Sequence, residues 1–267
     1  MIALSVFLHT VMVVTLGPLL AGLIRLGSSR GGLAALLGPL RTIEQGLRTP
    51  GRPPLNHLAV LAGAMVAGLL IPLFSSNAVL GFLGDGFVAL WLLSGLSTAY
   101  LPVRASSVLA VATGLWALGT LSGSTDLAQA LAGWQAPGPV SILLFLGIAL
   151  GIAPLLSSPD AHSPAVGNPE DSRADGSDEA DLVVSLQAWT RSTLQLGWLA
   201  LGAMAFPWNV SVTSGATFAL ALSLFLGKFV ALGMGLAAVN ARWPKLPTAE
   251  IGLACAILAL GLLKLGG

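Results

Sequence analysis

Apolar stretches long enough to cross a bilayer take up most of this 267-residue chain. A transmembrane helix needs about 20 consecutive apolar residues, and eight stretches meet or approach that length. Only 9% of the residues are charged, whereas a soluble domain carries about a quarter. The runs are also too long and too uniformly apolar for the alternating strands of a membrane β-barrel. The sequence therefore predicts an all-α, polytopic membrane protein of about eight transmembrane helices.

We treat residues 1–267 as a single membrane domain. The first run ends at Arg25 rather than at a small-residue cleavage site, and no basic region precedes it, so we expect a retained span and not a signal peptide. Glycines recur inside the runs, and the Gly147-x-x-x-Gly151 pattern is a candidate for close helix–helix contact. The predicted spans are about 2–24, 56–75, 83–101, 105–121, 139–156, 183–205, 213–238 and 249–265.

Lysine and arginine set the predicted orientation. The 25–55 connection carries five arginines against one acid, and two later connections carry Arg104 and the pair Arg242 and Lys245. With an even number of spans, all of these cations fall on one side, which the positive-inside rule identifies as the cytoplasm. We therefore expect an integral protein of the bacterial inner (cytoplasmic) membrane with both termini outside.

Residues 25–55 form a predicted cytoplasmic interfacial segment. Apolar residues recur at helical spacing across 33–47, while Arg41, Glu44 and Arg48 fill another face. This pattern predicts an amphipathic helix at the membrane surface, directly after the first span. A basic loop lying against anionic lipid is the alternative. Glu44 favours a protein partner over lipid headgroups, because a carboxylate contributes nothing to binding an anionic surface.

A second long connection, residues 157–182, has the opposite character. It holds seven acids against one arginine, with many Pro, Ser and Gly residues. Such a composition cannot bury enough apolar surface to fold by itself. We expect a mobile acidic loop on the cytoplasmic side.

Sequence motifs of soluble enzymes are missing from this chain. The single cysteine, Cys255, excludes an internal disulfide and a cysteine cluster for zinc or iron–sulfur. His9 and His57 are too far apart to predict a metal pair, and we interpret both as structural. No nucleotide-binding loop, nucleophile elbow or zinc-protease motif occurs. We expect no catalytic residue, no metal and no cofactor on this chain, and no nucleic-acid partner.

Two ionisable residues are candidates for an ion path or a coupling role. Lys228 lies about midway along its apolar run, where a charge is costly unless it reaches water or a partner. Its alternatives are snorkelling or a structural contact to a carbonyl. Asp85 lies at the outer end of the third predicted span, next to two glycines, where a helix N-cap or an interface position is the simpler explanation.

Several fragments of the sequence together resemble one known family. PLLAGLIR (Pro18–Arg25) followed by LGPLRTIEQGLRTP (Leu37–Pro50) is similar to the start of the family of respiratory complex I subunit 1. That family includes subunit 4, the matching membrane subunit of formate hydrogenlyase, and its counterparts in other energy-converting hydrogenases. Further similar fragments follow in the same order: Gly84-Asp85, LQAWTRSTLQLGW, LFLGKFVALG around Lys228, and AAVNARWPKLPTAEIG.

The resemblance implies a non-catalytic subunit of an NADH dehydrogenase-like or hydrogenase-like oxidoreductase complex that drives proton or other ion transport. The chain would dock soluble redox-arm subunits to antiporter-like membrane subunits, within membrane lipid. Iron–sulfur clusters, with nickel–iron or quinone, would lie on or near partner subunits. The implied docking residues are Arg25, Arg30, Arg41, Glu44, Arg48, Arg104, Arg191 and Arg242.

Acids that the family carries are missing at the matching positions. Gln187 stands where the family has Glu, and Thr113-Gly114 stands where it has Glu-Pro. A carboxylate relay needs ionisable groups within reach of one another. We therefore expect a degenerate or absent proton channel in this chain. Two other interpretations stay open: a secondary transporter with a midplane site at Lys228, and a purely structural membrane assembly subunit.

Overall fold

The computed structural model describes residues 2–28, 33–48, 55–71, 86–124, 126, 138–156, 177–206 and 214–266. Within this part of the chain the fold is all-helical, which confirms the all-α part of the predicted fold class. A 3₁₀ segment, Ala153–Leu156, continues the sixth helix. The helices are α1 Ile2–Ser28, α2 Leu33–Arg48, α3 Leu55–Leu70, α4 Gly86–Ser97, α5 Ala105–Ser122, α6 Pro139–Ile152, α7 Ser177–Met204, α8 Gly215–Arg242 and α9 Thr248–Gly266.

Each predicted span overlaps one of these helices, but α3 and α4 are shorter than the predicted spans 56–75 and 83–101, and residues 72–75 and 83–85 of those spans lie outside the described residues. Among the described residues, α5, α6 with its 3₁₀ extension, α8 and α9 are long and apolar enough to cross a membrane. The apolar parts of α1, α3 and α4 are shorter, and α7 is less apolar. The four long helices are compatible with an integral membrane protein. The count of eight spans stays a prediction.

The boundary between the predicted acidic loop and the following span differs from the prediction. Residues 157–176 lie outside the described residues, but α7 begins at Ser177, six residues before the predicted start at 183. The first turn of α7 has the sequence SDEAD. An acidic sequence is common at helix N-termini because negative charge there interacts favourably with the helix dipole, so this polar sequence is compatible with the additional helical residues.

Small residues bring α5, α6 and α9 into close contact. A Cβ atom added at Gly147 would lie 2.9 Å from the Cβ of Ala256, and one added at Gly252 would lie 2.6 Å from the backbone nitrogen of Gly151. A Cβ at Gly151 would also lie 2.7 Å from the Cβ of Ala110 on α5. Only glycine permits helix backbones to approach this closely. The predicted contact at Gly147-x-x-x-Gly151 is confirmed.

Helix α7 lies at the centre of the described bundle. It contacts α1, α2, α3, α4, α6 and α8. Every residue from Ser192 to Ala205 is buried, as expected for a helix surrounded on all sides. The peripheral helices instead expose large apolar side chains such as Trp91, which is 74% exposed, and Leu258. The apolar outer surface therefore suits a hydrocarbon environment.

Candidate functional site

The predicted amphipathic helix is present as α2 and packs against α1 and α7. Ile43 on its apolar face is buried, whereas Arg41, Glu44 and Arg48 are exposed. Arg48 Nη2 donates to Glu44 Oε1 at 2.6 Å, one helical turn away. Exposed pairs of this spacing contribute only about 0.3–0.5 kcal/mol. Helix α2 thus rests on the other helices through its apolar face and presents a charged face outwards.

Two of the predicted docking arginines lie at the same end of the bundle. Ser106 Oγ, in the first turn of α5, donates to Glu250 Oε1, in the first turn of α9, at 3.2 Å. Arg104 is the N-cap residue of α5, and Arg242 is the last residue of α8, which the short 243–247 connection joins to α9. Both arginines are exposed. This placement agrees with the expectation that the connections carrying Arg104 and Arg242 lie on one side.

Further polar contacts join helix ends at this end of the bundle, which we call the cationic end. His57 Nδ1 and Tyr100 Oη lie 3.3 Å apart and connect the start of α3 with the turn after α4. The chain then runs from Tyr100 through Leu101 to Arg104 and enters α5. The cationic end therefore includes the starts of α3, α5 and α9 and the connections that carry Arg104 and Arg242.

Two amide side chains hold the 3₁₀ segment that ends α6. Gln195 Nε2 on α7 donates to the carbonyl oxygen of Leu155 at 3.0 Å, and Asn240 Nδ2 on α8 donates to that of Ala153. The last carbonyls of a helix have no partner within the helix, so these two amides supply one. Sequence reasoning missed both residues, although an amide inside a long apolar run is the signal that could have found them.

Arg191 has different surroundings from the other predicted docking residues. It lies partway along α7, half-buried, between the fully buried Thr190 and Ser192. Ser192 Oγ and Thr193 Oγ1 donate to the carbonyl of Trp189 at 2.8 and 3.0 Å, the usual way for hydroxyls to be satisfied within a helix. The structure therefore places Arg191 inside the packed part of the chain and not on the exposed cationic end.

Lys228 lies half-buried on α8 and faces an aromatic ring. Its Nζ atom is 5.3 Å from the ring centroid of Phe206, just beyond the C-terminal end of α7. This distance is within the range of a cation–π interaction. Phe206 in turn packs edge-to-face on Phe145 of α6, with ring centroids 4.9 Å apart. Sequence reasoning missed Phe206, because nothing in the sequence pairs position 206 with position 228.

The structure describes only some of the remaining predicted site residues. Asp85 and Arg30 lie outside the described residues, and only the backbone of Arg25 is described, in the last turn of α1. Within the described ranges, no group of three or more His, Cys, Asp or Glu residues is placed to hold a metal ion. Cys255 is a free, half-buried thiol on α9.

No protein-family model and no curated protein matches this chain. The likeness to the complex I and hydrogenase family therefore stays a resemblance carried by the fragments quoted above.

Proposed function

We propose that this chain is the membrane anchor and coupling subunit of a redox-driven, ion-translocating complex of the complex I-like or energy-converting hydrogenase-like kind. It docks a soluble electron-transfer arm and packs beside antiporter-like membrane subunits, without catalysing the redox reaction itself. The observation that carries the proposal is the convergence of exposed arginines from separate connections at one end of an apolar bundle, where the Ser106–Glu250 hydrogen bond brings the starts of α5 and α9 together.

The chemistry of the cationic end suits an acidic protein surface. Arginine presents a planar fork of donors that binds carboxylates in pairs, and it is enriched at protein interfaces. Arg104 and Arg242 are exposed there, and Lys245 is exposed in the connection between α8 and α9. Complementary charge speeds association and fixes orientation. We therefore expect acidic residues on the face of the soluble arm that meets this end.

The outer face of α8 suits packing against another membrane helix. Small residues recur every fourth position on its exposed side: Ala219, Ser223, Gly227, Ala231 and Gly235. A Cβ atom added at Gly227 or Gly235 would meet nothing within 4 Å. Membrane helices associate closely through such small residues because they lack a hydrophobic driving force in lipid. This face supports the proposed lateral neighbours.

The proposal assigns the redox centres to other subunits. The sequence contains one cysteine, too few for an iron–sulfur cluster held by this chain alone. Iron–sulfur clusters, with nickel–iron or quinone, would lie on or near the soluble arm. Lys228 is the residue of this chain that we assign to coupling or to the ion path.

Affinity isolation from the native membrane tests the proposal. A tagged chain extracted in mild detergent should bring down iron–sulfur subunits and antiporter-like chains. The double variant Arg104→Gln and Arg242→Gln should lose the soluble subunits and keep the membrane neighbours. Lys264→Gln is the matched control, because Lys264 is exposed in the last turn of α9, at the opposite end of that helix. Recovery of the chain alone under conditions that preserve other membrane complexes would contradict the proposal.

A secondary transporter is the second candidate, and the position of Lys228 is what favours it. A half-buried ammonium in the middle of an apolar helix is a common feature of intramembrane substrate sites. This candidate predicts that the purified chain by itself binds and moves a small solute, and that Lys228→Met abolishes that transport. A purely structural subunit would instead show unchanged ion transport by its complex after Lys228→Met.

A further inference from the structure

The ammonium of Lys228 lies where three helices meet. Its Nζ atom faces the ring of Phe206 at 5.3 Å, and Phe206 follows the C-terminal end of α7. Phe145 of α6 supports that ring edge-to-face. The contact therefore joins α8, which carries the lysine, to the residues that follow α7 and, through the second ring, to α6.

Two electrostatic effects favour a cation at this point. The face of an aromatic ring carries partial negative charge, and its attraction for an ammonium grows as water is excluded. The C-terminal end of a helix is the negative pole of the helix dipole. Phe206 sits just past Met204, the last residue of α7, so the ring that faces the Lys228 ammonium is attached close to that pole. The aromatic ring and the negative end of the helix dipole therefore both favour a positive charge.

Helix α7 also contacts α2, which carries residues proposed for docking. Helix α7 has 28 residues, which corresponds to a length of about 42 Å at about 1.5 Å per residue. It packs against α2, which carries the exposed Arg41 and the Glu44–Arg48 pair. Helix α7 thus contacts the segment proposed for docking and leads, at its C-terminal end, into Phe206, which faces the residue proposed for coupling.

We propose that Phe206 is a positioning residue for Lys228. Its ring holds the ammonium at the C-terminal end of α7, so that a movement of α7 relative to α8 changes the surroundings of that charge. The coupling role rests on the proposed function. The contact itself can be tested in the isolated chain.

Nuclear magnetic resonance of the full chain in detergent micelles tests the contact. The sequence contains only three lysines, Lys228, Lys245 and Lys264, so chain labelled with [13Cε]-lysine should give three resolvable signals. Lys245 and Lys264 are exposed and serve as internal references. Protons above an aromatic face are shifted upfield by the ring current, and we expect one such signal. Lys228→Arg should remove it, which assigns it.

Two substitutions of Phe206 separate the ring face from simple bulk. Phe206→Met fills a similar space without an aromatic face, and the Lys228 signal should move to the position of the exposed lysines. Phe206→Tyr keeps the face and should keep the upfield shift. If Phe206→Met does not fold, the Lys228 signals of the wild type and of Phe206→Tyr still test the proposal. A Lys228 signal without an upfield shift in the wild type, or the same shift after Phe206→Met, overturns the proposal.

A second readout tests the consequence in the assembled complex. Phe206→Met should lower the number of ions moved per electron while electron transfer in the soluble arm continues, and Phe206→Tyr should restore that ratio. Equal loss in both variants would show a packing role and overturn the positioning role. If no such complex exists but the ring-current shift is present, the proposed function fails while the contact stands.

Discussion

The indole Nε1 of Trp198 donates a hydrogen bond of 2.9 Å to Ser97 Oγ, and both residues are fully buried. The bond joins the central helix α7 to the last residue of α4. A buried indole N–H that loses its acceptor cannot form a replacement hydrogen bond with water. The Trp198–Ser97 bond is therefore a specific polar contact in an otherwise apolar interface.

Ser97→Ala should destabilise the chain because it leaves the Trp198 N–H unsatisfied, at a cost of about 1–3 kcal/mol. Trp198→Phe should also destabilise, since it loses packing as well as the donor. If the hydrogen bond matters, the double variant should be less destabilised than the sum of the two single variants. Unfolding in a mixed-micelle SDS titration measures all three. Strict additivity would contradict the prediction.

Gly252→Ala should loosen the contact between α6 and α9. The added Cβ would lie 2.6 Å from a backbone atom of α6, which cannot rotate away, and such overpacking costs about 1–3 kcal/mol. Gly261→Ala on the same helix is the control, because a Cβ there meets nothing within 4 Å. The control should be neutral or more stable by up to about 1 kcal/mol. The melting temperatures of the two variants in one detergent give the comparison.

Gln195→Met should weaken the end of α6, since the carbonyl of Leu155 loses the donor that now bonds it at 3.0 Å. The side-chain volumes are similar, so the expected loss of about 1–3 kcal/mol reports the unsatisfied carbonyl. Gln187→Met, at an exposed position two turns earlier on α7, is the matched control. Hydrogen exchange of the amides near Ala153 should rise in Gln195→Met alone.

Docking at the cationic end should weaken as salt rises. Arg104 and Arg242 are exposed, and the screening length falls from about 10 Å at 0.1 M to about 3 Å at 1 M ionic strength. The yield of soluble partner subunits in affinity isolation should therefore drop with added salt, while antiporter-like chains remain. A yield of soluble subunits that does not change with salt would argue against electrostatic docking.

Gly227→Leu should impair lateral assembly without harming the chain itself. A Cβ at this position meets nothing within 4 Å in the isolated chain, so the stability of the purified chain should not change. A bulky side chain would separate α8 from a neighbouring membrane helix by preventing close backbone approach. Recovery of membrane partners after tagging measures the effect. Normal recovery would show that a different face of the bundle meets those partners.

The length of the apolar runs and, for α2, hydrophobic periodicity predicted most of the secondary structure. The apolar spacing across 33–47 predicted α2, and the eight apolar runs coincide with α1 and α3–α9. The small-residue pattern at Gly147 and Gly151 marked a candidate contact, and the structure shows a close contact there. The position of glycines can be read from the sequence, and the absence of a side chain is what permits helix backbones to approach closely.

Tertiary contacts between distant residues could not be predicted in the same way. Nothing local pairs Phe206 with Lys228, or Gln195 with Leu155, since each contact depends on how three or more helices pack. The half-buried position of Arg191 could not be predicted for the same reason. It follows from the packing of other helices around α7, which the local sequence does not show.

The enclosure of α7 also sets a condition on how the protein is made. Residues 192–204 of α7 are all buried, and five of the six helices that α7 contacts precede it in the chain. The ribosome synthesises those five helices first, and the surfaces that pack on α7 stay uncovered until α7 has been made. We therefore expect the bundle to complete its packing only after α7 is inserted between the earlier helices.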